Sequence, residues 1–432
     1  MQLSSEIKPY WLRATAEANG DSLLPVGGGR LMVALAAVVL AFVPLVPPVE
    51  ALEGGLTSRG ILEFGLIFMA LGLLAIYLKM QGAFSFEVKT PAFLIISAFC
   101  WWSMLSSIWS LNPILTIAKG LELWCVALAA LMVATLVLRS NFAEGKLETI
   151  LALSLIAVIG GLILANIFYW GKPLPSTGDA SLPLDLLGEE LTEDRPRLIL
   201  AYQHALLTAD LLAMAIICLF ASSLQKIFKA VLMPGLLALF WLTDARGATA
   251  GLTISLLALA ILKLRRNSAR VIAAMLGLTL TVAGLLVFQD RLPALVKPLV
   301  TDDLFTLNSR TELWSKTLTY ISAQPLLGAG YFASRYLFIK DFSWAGHAHN
   351  SFLEVQLTTG LIGLGILCAF LLLIVKEVFT TRNALLVGVT LYCLIQGMVN
   401  PIFFNPGLAM FAITLALMHA ELRKSSTRDV VR

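Results

Sequence analysis

The sequence predicts an all-α integral membrane protein of about 12 transmembrane helices with one large, partly helical extracytoplasmic loop. Three observations carry that expectation. Of the 432 residues, 58% are hydrophobic and only 13% are charged, against about 45–50% and about 25% in a typical soluble domain; the mean hydropathy is +0.85. Apolar runs near the ~20 residues that a bilayer demands recur along the chain. The basic residues also segregate by side once those runs are laid out. This composition excludes a disordered chain, a basic nucleic-acid binder and an ordinary cytosolic enzyme. The net charge of +4 says little by itself.

Candidate spans lie at roughly 31–49, 60–78, 91–111, 113–137, 147–170, 198–221, 228–243, 247–262, 271–288, 351–375, 383–399 and 405–421. Residues 1–288 thus hold nine spans with short loops and one extracytoplasmic loop at about 171–197. Residues 289–350 form the large loop, and 351–432 hold the last three spans and a tail. The two spans around Thr243-Asp244-Ala245-Arg246 are short and separated only by those four residues. The first span makes a poor signal peptide, because about 30 residues precede it and no small-x-small site follows. Twelve spans put both termini on one side. With that side cytoplasmic, nineteen of the 31 basic residues fall inside, eleven outside, and Lys119 within a span. Nine of the outer eleven sit in the two long loops, so the short outer loops carry only Arg59 and Arg246. The positive-inside rule counts short loops and supports this orientation.

The five cysteines fall in apolar stretches without metal-ligand or redox spacing, and read as small buried hydrophobes. In the large loop, Ser309-Arg310-Thr311-Glu312 reads as a capping box. It opens a helix with Leu313, Trp314, Leu318 and Ile321 on one face, stopped by Pro325 and followed by a Gly328-Ala329-Gly330 turn. A loop of this length without a function is unusual.

Outside the membrane there is no ATP, so an enzyme there needs a substrate already activated. Lipid-linked sugar diphosphates fit, provided the diphosphate charge is held by a metal on carboxylates or by arginine forks. The carboxylate pairs Asp302-Asp303 and Glu189-Glu190 are poorly placed for a metal. The arginines are placed better. Arg246 stands alone at the outer surface against the charge trend; the plainer alternative is snorkelling or pairing with Asp244. Arg195 and Arg197 flank Pro196 at the mouth of the sixth span, where Glu193 or Asp194 offers a salt bridge instead. Arg310 occupies the first turn of the loop helix, where the dipole disfavours a cation but favours an anion beside it. His347 and His349 lie where the large loop meets the tenth span; a histidine there suits a general base, and two solvated loop histidines are the alternative. His204 and Asp210 lie within the sixth span, and intramembrane ionisable groups usually face the bundle interior or a cavity. Lys119 and Glu122 share a helix face at i, i+3 and are expected to pair. His419, near the inner end of the last span, is assigned nothing.

His349-Asn350 is followed by nine residues and then Gly360-Leu361-Ile362-Gly363. This resembles the H-[NSQ]-x9-G-x-x-G signature of the O-antigen ligase and Wzy-type polysaccharide polymerase superfamily. The surrounding blocks, Ser309 to Trp314, Pro325 to Gly330 and His347 to Glu354, fit as well. Asp244-Ala245-Arg246-Gly247 is similar to the Ser-Arg-Gly turn of these proteins. The resemblance implies a GT-C-like membrane glycosyltransferase working without metal, ATP or cofactor. It would pass a glycan from undecaprenyl diphosphate to an acceptor hydroxyl with inversion, on the periplasmic side of the bacterial inner membrane, with both termini cytoplasmic. The acceptor is lipid A-core for a ligase, the reading preferred here, and a lipid-linked repeat unit for a Wzy-type O-antigen or exopolysaccharide polymerase. By position, His349 is the base or acceptor-orienting group and Arg246 and Arg310 hold the diphosphate. Arg197, Arg195, His347, Asn350, His204 and Glu354 are the substrate-binding candidates. The bilayer is a partner and nucleic acid is not. A transporter or flippase is the alternative of another class: Lys119, Glu122, His204 and Asp210 within spans suit it, but no pair of related halves is evident.

Overall fold

The computed structural model describes residues 26–42, 58–80, 90–140, 142, 145–168, 198–200, 205–263, 310–339, 341–342, 345–381 and 383–429. Among them every regular element is helical. In chain order these are α1 (Val26–Phe42), α2 (Ser58–Met80), α3 (Pro91–Leu105), α4 (Pro113–Arg139), α5 (Lys146–Phe168), α6 (Ala205–Ala221), α7 (Lys226–Trp241), α8 (Arg246–Lys263), α9 (Arg310–Ala323), α10 (Ser334–Phe338), α11 (Ser351–Thr381), α12 (Ala384–Gln396) and α13 (Leu408–Asp429). Eleven of the twelve expected spans coincide with one of these helices. The span at 271–288, the 171–197 loop and residues 289–309 lie outside the described residues. By length and composition, Pro91–Ile108, α4, α5 and α11 can each cross a membrane, and shorter apolar helices occur in α1, α2, α6, α8 and α12.

Local sequence sets the helix starts. Asn112 caps α4 by accepting the Leu115 N–H at 3.1 Å, with Pro113 at the first helical position. Asn383 caps α12 in the same way through Leu386 at 3.0 Å. α4 is buried on nearly every side from Leu123 to Val137, and α6 from Thr208 to Leu219. A helix that is apolar all round belongs in the centre of a bundle. Accordingly α2, α3 and α13 pack about α4, while α5, α7, α8 and α12 pack about α6. Lys119 pairs with Glu122 at 2.6 Å, as their spacing suggested, and Lys424 pairs with Glu377 at 3.2 Å. Four cysteines are buried, as expected; Cys368 is exposed on the outer face of α11.

The structure departs from the sequence expectation in three places. Residues 198–200 are not helical. The Leu198 N–H donates to the Leu242 carbonyl at 2.7 Å and the Leu200 N–H to Thr208 Oγ1 at 3.2 Å, so this segment is stapled to the α7–α8 corner and to α6. In α9 the buried line is Leu313, Thr317 and Ile321, and Leu318 is exposed; at about 100° per residue Leu318 points well away from Leu313. The tenth span is one element of 31 residues broken at Gly360, whose φ of 68° and ψ of −167° are not helical.

The 325–330 turn inserts into that break. Ala329 and Gly330 N–H groups donate to the Leu357 and Thr358 carbonyls at 2.9 Å each, and the Leu361 N–H donates to the Pro325 carbonyl at 2.9 Å. Trp102 Nε1 reaches the Thr359 carbonyl at 2.9 Å, and Trp109 Nε1 the Gly328 carbonyl at 3.1 Å. The Leu357, Thr358, Thr359 and Leu361 backbone groups thus regain partners, which is the condition for a broken helix at membrane depth. The loop is thereby welded to α11 and to the α3–α4 corner. The Tyr331 hydroxyl extends the weld by donating to the Phe404 carbonyl.

Candidate active site

The His347–Asn350 turn ends the large loop and begins α11, and each of its neighbours is clamped. Asn350 Oδ1 accepts the Phe352 and Leu353 N–H groups at 2.9 and 3.1 Å, capping α11, while its Nδ2 donates to the Met398 carbonyl at 3.0 Å. Ser351 N–H donates to the Gly397 carbonyl at 2.8 Å, and Ser351 Oγ to the Asn400 carbonyl at 2.9 Å. Glu354, one turn into α11, reaches back: Oε2 accepts the Ala348 N–H at 2.8 Å and Oε1 accepts Ser334 Oγ at 2.6 Å. The Ala348 carbonyl accepts Trp314 Nε1 of α9 at 2.9 Å.

Held on both sides, His349 adopts φ 48°, a left-handed conformation uncommon for a residue with a Cβ. Its N–H donates to His347 Nδ1 at 3.2 Å, and the two rings lie 4.1 Å apart. As an acceptor at Nδ1, His347 carries its proton on Nε2 in this arrangement.

Arg246 is the first residue of α8, half-buried, directly after the corner where Asp244 takes φ 49°. A Cβ on Gly247 would strike Val399 Cγ2 and lie 3.0 Å from Gln396 Oε1. Glycine at 247 therefore lets the first turn of α8 close onto the turn at 396–400. That turn also holds Asn350 and Ser351, so the segments that carry Arg246 and His349 pack on the same turn. Arg310 opens α9 one helical turn (about 6 Å of rise) before Trp314, on the helix that grips Ala348. Its guanidinium is half-buried, and loss of solvent lowers its pKa from the ordinary value; among the described residues it makes no ion pair. A desolvated cation at a helix N-terminus is suited to an anion.

Arg195, Arg197 and His204 lie outside the described residues. Leu198, next in sequence to Arg197, is the residue bonded to Leu242 at the α7–α8 corner. Trp314, expected only on the apolar face of the loop helix, and Ser334, not singled out by the sequence, fix the histidine turn; Arg335 is half-buried beside Ser334 with its pKa also lowered by desolvation. Tyr392, Gln396 and Asn400, likewise not singled out by the sequence, surround Asp210. The one available signal was a set of polar residues ending an apolar span, Gln396-Gly397-Met398-Val399-Asn400.

Because both Glu354 oxygens are used internally, Glu354→Gln should turn an amide NH₂ toward one of the two donors. We expect the purified variant to melt a few degrees lower in detergent, in keeping with about 1–3 kcal/mol for a mispaired buried group. An unchanged melting temperature would count against the clamp.

These features define a helical membrane protein in which a loop helix and a broken span hold a histidine-bearing turn. Residues 230–368, about a third of the chain, match the family model described as O-antigen ligase. The match takes in Arg246, Arg310, the histidine turn, Glu354 and both glycines of the 360–363 motif. It supports a glycosyltransferase-like enzyme of ligase or polymerase type in polysaccharide biosynthesis. No curated protein matches the chain significantly.

Proposed function

We propose that this protein transfers a glycan from undecaprenyl diphosphate to a hydroxyl of lipid A-core oligosaccharide, in the manner of an O-antigen ligase. The reaction takes place on the periplasmic side of the bacterial inner membrane, in a chain of twelve spans with cytoplasmic termini. The observation that carries this reading is the convergence of the segments bearing Arg246 and His349 on one turn, with α9 and its Arg310 docked on the histidine segment, these three residues all within the matched domain.

In the reaction the acceptor oxygen attacks the anomeric carbon from the face opposite the diphosphate. The bond between that carbon and the phosphate oxygen breaks, inverting the centre, and undecaprenyl diphosphate leaves with the bonding pair. His349 accepts the hydroxyl proton. Arg246 and Arg310, assisted by Arg195 and Arg197, hold the charge that grows on the leaving diphosphate. His347 and Asn350 orient His349, and Glu354 fixes the turn that carries it. These roles need no metal and no cofactor, since the donor already bears an activated leaving group.

The test is complementation of a deletion strain with His349→Ala. We expect bare lipid A-core on lipopolysaccharide gels and long undecaprenyl-linked chains, with the variant present in the membrane at the wild-type level. Normal surface glycan from His349→Ala would overturn the assignment. Loss of chain length with single repeats still joined to core would instead identify a polymerase.

A further inference from the structure

Asp210 lies within α6, and the transfer step above does not use it. Its carboxylate is buried. Oδ1 accepts the Tyr392 hydroxyl at 2.5 Å and Gln396 Nε2 at 3.2 Å, and Oδ2 accepts Asn400 Nδ2 at 3.5 Å. All three donors are neutral, and no ion pair to Asp210 occurs among the described residues. A buried carboxylate without a cation is costly, and inside a membrane span such a group is a functional-site hypothesis by default.

Its donors sit at a telling place. Tyr392 and Gln396 are one turn apart at the end of α12, and Asn400 closes the turn that follows. With Nε2 given to Asp210, the Gln396 amide turns Oε1 toward the space left by Gly247, beside Arg246. Gln396 is fully buried, and this Oε1 has no hydrogen bond of its own. On its other side the same turn presents the Gly397, Met398 and Asn400 carbonyls to Ser351 and Asn350, next to His349. Asp210 thus grips both ends of the one segment on which the arginine and histidine arms rest. Asp210, Tyr392, Gln396 and Asn400 all fall outside residues 230–368.

We infer that Asp210 is a positioning residue that fixes the 396–400 turn and, through it, the spacing between Arg246 and His349. The inference rests on the transfer reading for its effect on rate, but its geometric half is measurable without turnover. A nitroxide is placed on Met398→Cys, whose side chain is exposed, in a Cys368→Ser background that removes the exposed native thiol. Asp210→Asn should narrow the spectrum of this label and leave a control label on Leu326→Cys unchanged. The purified full-length enzyme is then assayed with undecaprenyl-diphosphate-linked glycan and lipid A-core. Per folded molecule, kcat should fall about tenfold or more while donor KM stays within about threefold, because a sub-ångström to ångström misplacement costs rate rather than binding. Tyr392→Phe removes one donor only and should give a smaller change of the same kind; it carries the test if Asp210→Asn fails to fold. An unchanged Met398 label, or an unchanged kcat per folded molecule in an active enzyme, overturns the inference. A wild-type protein with no transfer at all overturns the transfer reading instead, and the label still decides the role of Asp210.

Discussion

Gly360→Ala is expected to remove most folded protein from the membrane, whereas Gly365→Ala, five residues along the same helix, should leave the yield unchanged. At φ 68° and ψ −167° Gly360 occupies a region open essentially to glycine alone, and forcing a side chain there costs about 1–3 kcal/mol. A Cβ at 360 would also overlap the Leu326 carbonyl and lie 2.6 Å from the Leu327 nitrogen. The 325–330 turn would have to withdraw, surrendering the bonds from Ala329, Gly330 and Leu361 that satisfy the broken helix. At about 0.5–1.5 kcal/mol each, those losses and the strain together approach the about 5–15 kcal/mol that holds a typical domain folded. A methyl group on Gly365 would find nothing within 4 Å, so alanine there meets open space. Fluorescence-detected size-exclusion chromatography of tagged variants reads the difference, and a monodisperse Gly360→Ala at wild-type yield would refute this account of the break.

The same residue shows what the sequence could and could not disclose. Gly360 and Gly363 were visible as a motif, but the motif alone does not say that the first of them opens a helix to admit a loop. That requires knowing that Ala329 and Gly330, some thirty residues earlier, bring their N–H groups to Leu357 and Thr358. Helix positions were legible because apolar runs of span length are strong signals. Residues 198–200 were misplaced for a related reason: Leu198, Ile199 and Leu200 are as apolar as a span, and only the tertiary bond to Leu242 reveals a non-helical segment. Arg246 stood out because charge is scarce and its side was wrong for the trend. Gln396 and Asn400 did not, since neutral amides carry no side preference and their meaning comes from Asp210, nearly two hundred residues away.

Arg246→Ala should reduce transfer by about 10²–10³-fold, the usual cost of deleting one group that stabilises developing transition-state charge. Arg246→Lys should retain an intermediate rate, because lysine supplies the charge but not the two-pronged fork that matches phosphate oxygens. The backbone gives the reason for expecting function rather than surface decoration. Arg246 is the first residue of α8, where the helix dipole disfavours a cation by about 0.3–1 kcal/mol. The corner before it takes a left-handed residue at Asp244, and the glycine after it is pressed against Val399. A phosphate oxygen at this position would meet both the guanidinium and the N–H groups of the first turn of the helix. A snorkelling or Asp244-bound Arg246 leads elsewhere: lysine would then equal arginine, and alanine would lower thermal stability without lowering kcat. The discriminating measurement is inhibition by a short-chain prenyl diphosphate. Its inhibition constant should weaken in the order arginine, lysine, alanine if Arg246 touches the diphosphate, and stay constant across the three if it does not.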